Sequence, residues 1–381
     1  MKLTISGCEN VDELEPFYVA ALARCQGMGG SRVRELCDAL GGGRAAWEAG
    51  AAAWREAVPK LPKRAAEAAL ALRREQPDYP ERLAEICHQK QIEVITIWQP
   101  EYPNIMKEIY EPPAVVYVRG AIVPDAIRCA MVGARQMTGY GEAVATELGE
   151  KLAAAGLTIV SGGARGIDTC SHKGAIRAAR KGHGRTVAVL GCGVDVAYPA
   201  SNRRLFEEIL ETGGALVSER VPGTKPLPAF FPARNRIIAG LSQGTVVVEA
   251  ARRSGSLITA ELALSSGRDV FAVPGSIFSP KSEGCHKLLQ QGAKLVQQPA
   301  DILEEFGLAV PQAAPKSREL PPEQRRVWQV LSFEHPLTLD EIVESLPDGD
   351  VSTLAFTLLQ MEMEGLVQEN AMHGYRRMER E

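Results

Sequence analysis

A chain of 381 residues exceeds what one core usually holds, since single cores rarely grow much beyond ~250 residues, so two or three domains are expected. Hydrophobic residues make up 45% and charged residues 24%, as in a globular protein, and the formal charge of −4 argues against a chain that coats nucleic acid indiscriminately. No segment is long or apolar enough to span a bilayer, and the polar start Met1 to Asn10 does not read as a secretory signal. A cytoplasmic protein without membrane contact is the expectation. The eight cysteines have no two-residue-spaced pair, so neither a zinc site nor a disulfide framework is indicated and reduced core thiols are expected.

Residues 14 to 75 are rich in alanine and leucine at helical spacing, with a break at Gly27-Met-Gly-Gly30. The order helix, glycine turn, helix resembles a helix-hairpin-helix or SAM-like domain, assigned to residues 1–80. Two readings of the turn are open: its N–H groups hold a phosphate, or its glycines only connect two helices.

From Ile92 to Phe306 short apolar strands alternate with amphipathic helices, and residues 81–307 form the second domain. The strands fall at Ile92–Ile97, Val115–Val118, Cys129–Val132, Thr158–Ser161, Thr186–Leu190, Leu216–Ser218, Thr245–Val248, Asp269–Val273 and Lys294–Val296. Such alternation requires crossovers, hence an α/β, Rossmann-like, doubly wound and mostly parallel sheet. Ligands bind such sheets beyond the carboxyl ends of the strands. The loops predicted there are Gly133-Ala-Arg-Gln-Met-Thr138, Ser161-Gly-Gly-Ala-Arg-Gly-Ile-Asp168, Gly191-Cys-Gly193 and Pro274-Gly275, with Gly284-Cys-His-Lys287 opening a further helix. Glycines admit a phosphate close to the backbone, and Ser, Thr and Arg add donors.

Two arginine clusters bracket one helix-strand unit. Phe231-Pro-Ala-Arg-Asn-Arg236 opens a helix, and Arg252-Arg-Ser-Gly-Ser256 follows the apolar strand and leads into the next helix. Arginine forks beside helix N-termini suit phosphate oxygens. The stretch from Gly162 to Arg185 holds six basic residues, Arg165, Lys173, Arg177, Arg180, Lys181 and Arg185, against the single acid Asp168, and is read as a patch that an anionic strand would meet. The bland readings are tight turns for Gly162, Gly163 and Gly166, surface ion pairs for Arg135 and Arg165, and packing for His172 and Cys285. No Walker-type loop, dinucleotide fingerprint or paired carboxylate cluster is present, so neither a cofactor nor a catalytic or metal-binding residue is assigned.

Residues 308–322 carry four prolines and read as a linker. In residues 323–381, helices at Glu323–Leu331, Thr338–Leu346 and Val351–Glu364 precede strands at Leu366–Gln368 and Tyr375–Met378, the order of a winged helix. The helix Val351–Glu364 has Asp348 and Asp350 at its entrance and Glu362 and Glu364 at its exit, which favours a protein contact or a vestigial domain over reading of a duplex.

The ordered series Gly133-Ala-Arg135, Thr138-Gly-Tyr-Gly141, Ser161 to Asp168, Ser218-Glu219, Phe231 to Arg236, Glu249, Ser254-Gly-Ser256, Thr259-Ala260 and Pro274-Gly275 closely resembles the bacterial DNA-processing protein A family, also called DprA or Smf. The resemblance covers nearly the whole length. It implies a homodimeric, cytoplasmic single-stranded-DNA-binding protein that protects incoming DNA in natural transformation and loads a RecA-type recombinase on it, without a catalytic step. It carries DNA contacts onto Gly133, Arg135, Arg165, Lys225, Arg234, Asn235 and Arg236, and the loop residues Gly162, Gly163, Ser254, Ser256 and Gly275 complete the expected surface. His286 stands where the family pattern has an asparagine. The stretch Ala260 to Ser276, with Leu288 and Leu289, is the expected dimer face. A rival of another class is a nucleotide-monophosphate phosphoribohydrolase, faintly resembled by Gly255-Ser-Leu-Ile-Thr-Ala-Glu261, although Ser256, Leu257 and Ile258 interrupt that family's glycine-rich active loop.

Overall fold

Nine apolar segments of the chain pair into one sheet, in the order β1-β2-β6-β5-β4-β3-β7-β8-β9. The structure, a computed structural model, describes residues 13–309, 320–332, 335–346, 350–370 and 373–378. Cys8, Asp348 and most of the proline-rich linker lie outside the described residues. The chain divides into two compact units between Pro311 and Gln312.

The first unit begins with six helices, α1 Glu15–Ala23, α2 Gly30–Leu40, α3 Gly43–Glu48, α4 Ala51–Ala57, α5 Lys63–Glu75 and α6 Tyr79–Gln89. Five consecutive residues of α1, Tyr18 to Leu22, are buried, so this helix is enclosed by its neighbours. The glycine turn before α2 has a packing role. A Cβ on Gly30 would lie 2.1 Å from the Pro112 carbonyl oxygen, and Met28 within the turn is buried. That contact favours the connector reading of the turn over the phosphate-holding one.

The sheet strands follow as β1 Glu93–Thr96, β2 Val115–Gly120, β3 Arg128–Val132, β4 Thr158–Ser161, β5 Arg185–Val189, β6 Ala215–Ser218, β7 Gly244–Val247, β8 Asp269–Ala272 and β9 Lys294–Leu295. Among the described strands of this sheet only β2 is reversed: it pairs antiparallel with both β1 and β6, while every pairing from β6 to β9 is parallel. The connecting helices are α7 Asn104–Lys107, α8 Gly139–Ala154, α9 Ile167–Arg180, α10 Arg203–Glu211, α11 Phe230–Gly240, α12 Gly255–Ser265, α13 Glu283–Gln290 and α14 Ala300–Glu305.

Alternation along each strand sends side chains to two faces. Val116, Val118, Ala130, Val132, Val187 and Val189 meet α7, α11, α12 and α13 on one face. Cys129, Met131, Ile159 and Val246 meet α8, α9 and α14 on the other. On that second face, Val115, Tyr117 and Leu216 share a core with α10 and the N-terminal helices. From β3 the chain steps through β4, β5 and β6 in one direction, then crosses back through α11 to set β7 on the other flank of β3. The loops leaving β3 and β7 therefore diverge at a topological switch point, which opens a crevice at the carboxyl edge.

The second unit comprises α15 Pro322–Val330, β10 Leu337–Thr338, α16 Leu339–Ser345, α17 Val351–Met363, β11 Val367–Glu369 and β12 Gly374–Arg377. Its three strands pair in the order β10-β12-β11 around a core of Val327, Leu331, Ile342, Leu354, Leu358, Met361, Leu366 and Val367. This is a winged helix. Thr338 and Glu341 close a capping box at the start of α16. Among the described residues no helix is long and apolar enough to cross a membrane.

The seven described cysteines are buried free thiols. Burial pushes those of Cys37, Cys87, Cys129 and Cys285 up to about 12, so Cys285 gains no reactivity from its place near the start of α13.

His172 on α9 is fully buried, and its Nδ1 lies 2.7 Å from the Thr186 hydroxyl oxygen. That hydroxyl spends its hydrogen on the Ile159 carbonyl at 2.8 Å, so Nδ1–H must be the donor, and Nε2 has no partner. Burial, reinforced by the nearby Arg234 charge, lowers the His172 pKa to about 3. The folded state therefore resists a proton that the unfolded chain takes up near pH 6.5. Stability from this group is complete above that pH and falls as pH drops below it, by up to ~1.4 kcal/mol per pH unit. Denaturant titrations between pH 7 and pH 5 should show this slope. His172→Asn keeps a donor toward Thr186 but cannot titrate, and should flatten it.

Candidate nucleic-acid interface

The carboxyl edge is held together from below by one buried cation. Arg234, on the first turns of α11, is 7% exposed. Its Nη1 donates to the Gly162 carbonyl at 2.7 Å and also to the Val189 carbonyl, joining the ends of β4 and β5. Its partner in charge is the equally buried Asp168, and a Cβ on Gly162 would sit 2.7 Å from both the guanidinium and the carboxylate. Only glycine fits there. Burial pushes the Asp168 carboxyl up, against the pull of Arg234 and the loop N–H groups, and lowers the Arg234 pKa to about 10, which leaves the guanidinium charged at neutral pH.

The loop after β4 is fixed by its carbonyls. Gly162 accepts from Arg234, while Gly163 and Ala164 accept from Asn202 Nδ2 at 3.0 and 3.3 Å. In a trans peptide the N–H opposes the C=O, so the N–H groups of Gly163 and Arg165 are directed away from these donors. Between them the Ala164 N–H turns inward to Asp168 Oδ2 at 3.2 Å, so Gly163 and Arg165 supply the outward donors of the loop, a small concavity suited to an anion. Gly163 and Gly166 take positive φ, +64° and +80°, and a Cβ on Gly166 would strike the Ala134 carbonyl at 2.2 Å. The loops after β3 and β4 are thereby pressed together, with the Ile167 N–H donating to Ala134. Arg135 and Arg165 are the exposed cations of these adjoining loops.

At the start of α8 the expected anion seat is already filled. Glu249, 3% exposed at the end of the β7 segment, accepts from the Thr138 N–H at 3.0 Å and from the Thr138 hydroxyl. A Cβ on Gly141 would fall 2.5 Å from its carboxylate. The carboxylate satisfies the positive end of α8 from within the protein.

The cluster Arg234-Asn235-Arg236 is split by the 100° step of the helix. Arg234 points under the loops. Asn235 Nδ2 lies 3.4 Å from the Gly255 carbonyl at the start of α12. Arg236 pairs with Glu219 at 2.6 Å and is only part-exposed. Lys225 is exposed on a segment tied to the loop after β5 by the Gly193 N–H to Thr224 O bond. Ser254 caps α12, its Oγ accepting from the Ser256 N–H and lying 2.7 Å from the Ser256 hydroxyl. Arg252 and Arg253 beside it are exposed along an open groove of about 530 Å³ that reaches Pro280. Gly275 makes room for Ser282, and its carbonyl accepts from His286 Nε2–H at 3.0 Å, so His286 positions the loop after β8. Gly133 packs against Ile167 and the Glu249 carbonyl.

One expectation is corrected. The basic stretch from Arg165 to Arg185 is not a single patch, because α9 carries most of it away from the carboxyl edge. Arg177 and Lys181 pair with Glu150 of α8, and Arg180 with Glu208 of α10. Of the six, Arg165 alone sits in an edge loop.

Aromatic residues that sequence reasoning did not count as site residues line the same edge. Tyr198, 42% exposed, packs on Phe231 with ring centroids 5.3 Å apart, and the Arg135 guanidinium lies 5.9 Å from the Phe231 ring. Arg220 covers Phe230 at 4.3 Å. The available signal was the adjacent Phe230-Phe231 pair opening the arginine-bearing helix α11. Guanidinium and aromatic faces side by side suit phosphates and stacked bases together. Among the described residues no cluster of three or more His, Cys, Asp or Glu could hold a metal ion.

Residues 93–307 match the family model for DNA recombination-mediator protein A, and residues 311–371 match that for the DprA winged helix domain. The chain is 41% identical to protein Smf of Escherichia coli (strain K12) over 276 residues, 70% of this chain and 72% of that protein. It is 42% identical to the DNA processing protein DprA of Bacillus subtilis over 232 residues, 60% of this chain and 76% of that one. The X-ray structure of DNA processing protein A from Streptococcus pneumoniae superposes with a TM-score of 0.65 at 34% identity, covering 76% of this chain and 97% of that one. A second, from Helicobacter pylori and described for its single-stranded DNA binding mode, gives 0.51 at 26% identity over 57% and 95%.

Replacing Arg234 with alanine should strand the Asp168 carboxylate and two carbonyls, at a cost of roughly 3–5 kcal/mol of stability. The exposed Arg135→Ala should stay within about 0.5 kcal/mol of the parent. Thermal or denaturant unfolding of the two variants checks the contrast.

Proposed function

Because this chain belongs to the DNA recombination-mediator protein A family, we propose that it binds single-stranded DNA along the carboxyl edge of its sheet. The observation that carries the reading is the pair of adjoining glycine loops that present Arg135 and Arg165, with the Tyr198–Phe231 stack beside them. Phosphates contact the outward N–H groups of the loop after β4 and the exposed cations Arg135, Arg165, Lys225, Arg252 and Arg253. Bases stack on the aromatic faces. This division gives little sequence preference and a marked salt dependence. Arg234 and Arg236 serve by holding the loops and the end of β6, and Asn235 borders the α12 start.

No chemical step is needed for this role. The carboxylates nearest the loops are committed: Glu249 to Thr138, Asp168 beside Arg234, Glu219 to Arg236. Release of free base from a nucleoside monophosphate would favour the phosphoribohydrolase reading instead. In its cellular setting the protein protects incoming strands in the cytoplasm during transformation and hands them to a RecA-type recombinase. It does so as a homodimer, whose two edges raise avidity through effective concentration. The face around Ala260–Ser276 fits that assembly, since Leu264 and Leu295 are 57% and 42% exposed there.

Exchanging both Arg135 and Arg165 for alanine should weaken binding of an unstructured oligonucleotide and lower the log–log salt slope by roughly 0.7 per lost phosphate contact. Phe231→Leu should weaken binding and leave that slope alone, since stacking releases no counterions. A folded double-arginine variant with unchanged affinity and slope would move the DNA elsewhere. Sedimentation equilibrium at micromolar concentration should give twice the chain mass, and Leu264→Arg should shift it to the monomer.

A further inference from the structure

The helix α17 of the winged unit has two faces of the same character and opposite fates. Leu354, Leu358 and Met361 are buried in the unit's core. On the other side Phe356, Leu359 and Met363 are 62%, 54% and 83% exposed. Their spacing of three and four residues aligns them in one stripe along two turns. Winged helices that read a duplex present this kind of helix to phosphates and base edges. Here the surroundings oppose that use. Residues 320–381 contain twelve acids, five arginines and no lysine. Each described arginine of this unit has a partner within it: Arg325 the Leu320 carbonyl, Arg326 Glu323, Arg376 Gln368, and Arg377 the Leu331 carbonyl and the Trp328 ring. Glu362 and Glu364 flank the stripe at the carboxyl end of α17, where the helix dipole adds negative potential.

We propose that this face docks a basic amphipathic helix of a partner protein, with apolar side chains over Phe356, Leu359 and Met363 and lysine or arginine opposite Glu362 and Glu364. The stripe matches the i, i+3, i+7 anchors of a helix laid on an apolar surface. A second copy of α17 is a poor occupant. Antiparallel packing would bring Glu362 and Glu364 toward the partner copy's Asp350 end, and parallel packing would set like charges side by side. The proposal does not depend on where the first unit binds DNA.

The test uses the full chain and a labelled synthetic peptide of about 18 residues, long enough to form a helix, with leucine at helical spacing and lysine on the remaining face. A twin peptide carries glutamate in place of lysine. The lysine peptide should bind, and the glutamate twin at least tenfold more weakly. The variant Phe356→Ser, Leu359→Ser, Met363→Ser should lose at least tenfold for the lysine peptide, and Glu362→Gln with Glu364→Gln should narrow the gap between the two peptides. If the triple variant does not fold by circular dichroism, the single Met363→Ser, at the most exposed position, should still lose at least threefold. The proposal is overturned if the parent chain binds neither peptide, if the serine changes leave binding intact, or if they abolish self-association or duplex binding by the parent chain instead.

Discussion

The geometry of the carboxyl edge depends on the burial of one guanidinium. Arg234 reaches from α11 beneath two strand ends and takes the carbonyls of Gly162 and Val189, with Asp168 as its countercharge. A buried ion pair is weak evidence for net stability, because desolvating both charges offsets most of their attraction. Its effect is on geometry. A planar fork with fixed donor directions sets where the β4 loop can lie, and Asn202 fixes the next two carbonyls. With its carbonyls held inward and the Ala164 N–H taken by Asp168, the loop turns the N–H groups of Gly163 and Arg165 outward. The outer surface of the loop is thus shaped by buried residues beneath it.

Much of the architecture was legible in the sequence because fully apolar runs between amphipathic helices have few other solutions. All nine strand segments lie where the apolar runs stand, and the crossover pattern gave the parallel sheet. Periodicity has no direction, so the reversal of β2 between β1 and β6 had no signature. The winged helix was readable from the order of its elements.

The site was legible as a set of loops and less so as a set of side chains. Three consecutive residues, Arg234, Asn235 and Arg236, read as one cluster, yet a helix sends them three ways. Counting charge along the chain made a patch of Arg165 to Arg185, because the acids that neutralise it, Glu150 and Glu208, come from helices distant in sequence. The Tyr198–Phe231 stack joins residues 33 positions apart and had no local pattern to announce it. The net charge of −4 concealed a division as well. Residues 312–381 sum to −6 and those before them to +2, so the two units present different chemistry to a polyanion.

The carboxylate of Glu249 at the head of α8 has a consequence for selectivity. In a doubly wound sheet the first helix after the switch point is the usual seat for the terminal phosphate of a small nucleotide. Here that seat holds a carboxylate belonging to the chain itself, bonded to Thr138 and closed over by Gly141. A free nucleotide, with all its charge gathered at one end, would meet a carboxylate at that helix start in place of open N–H groups. A polymer spreads its charge over many shallow contacts and loses little from the closure of one.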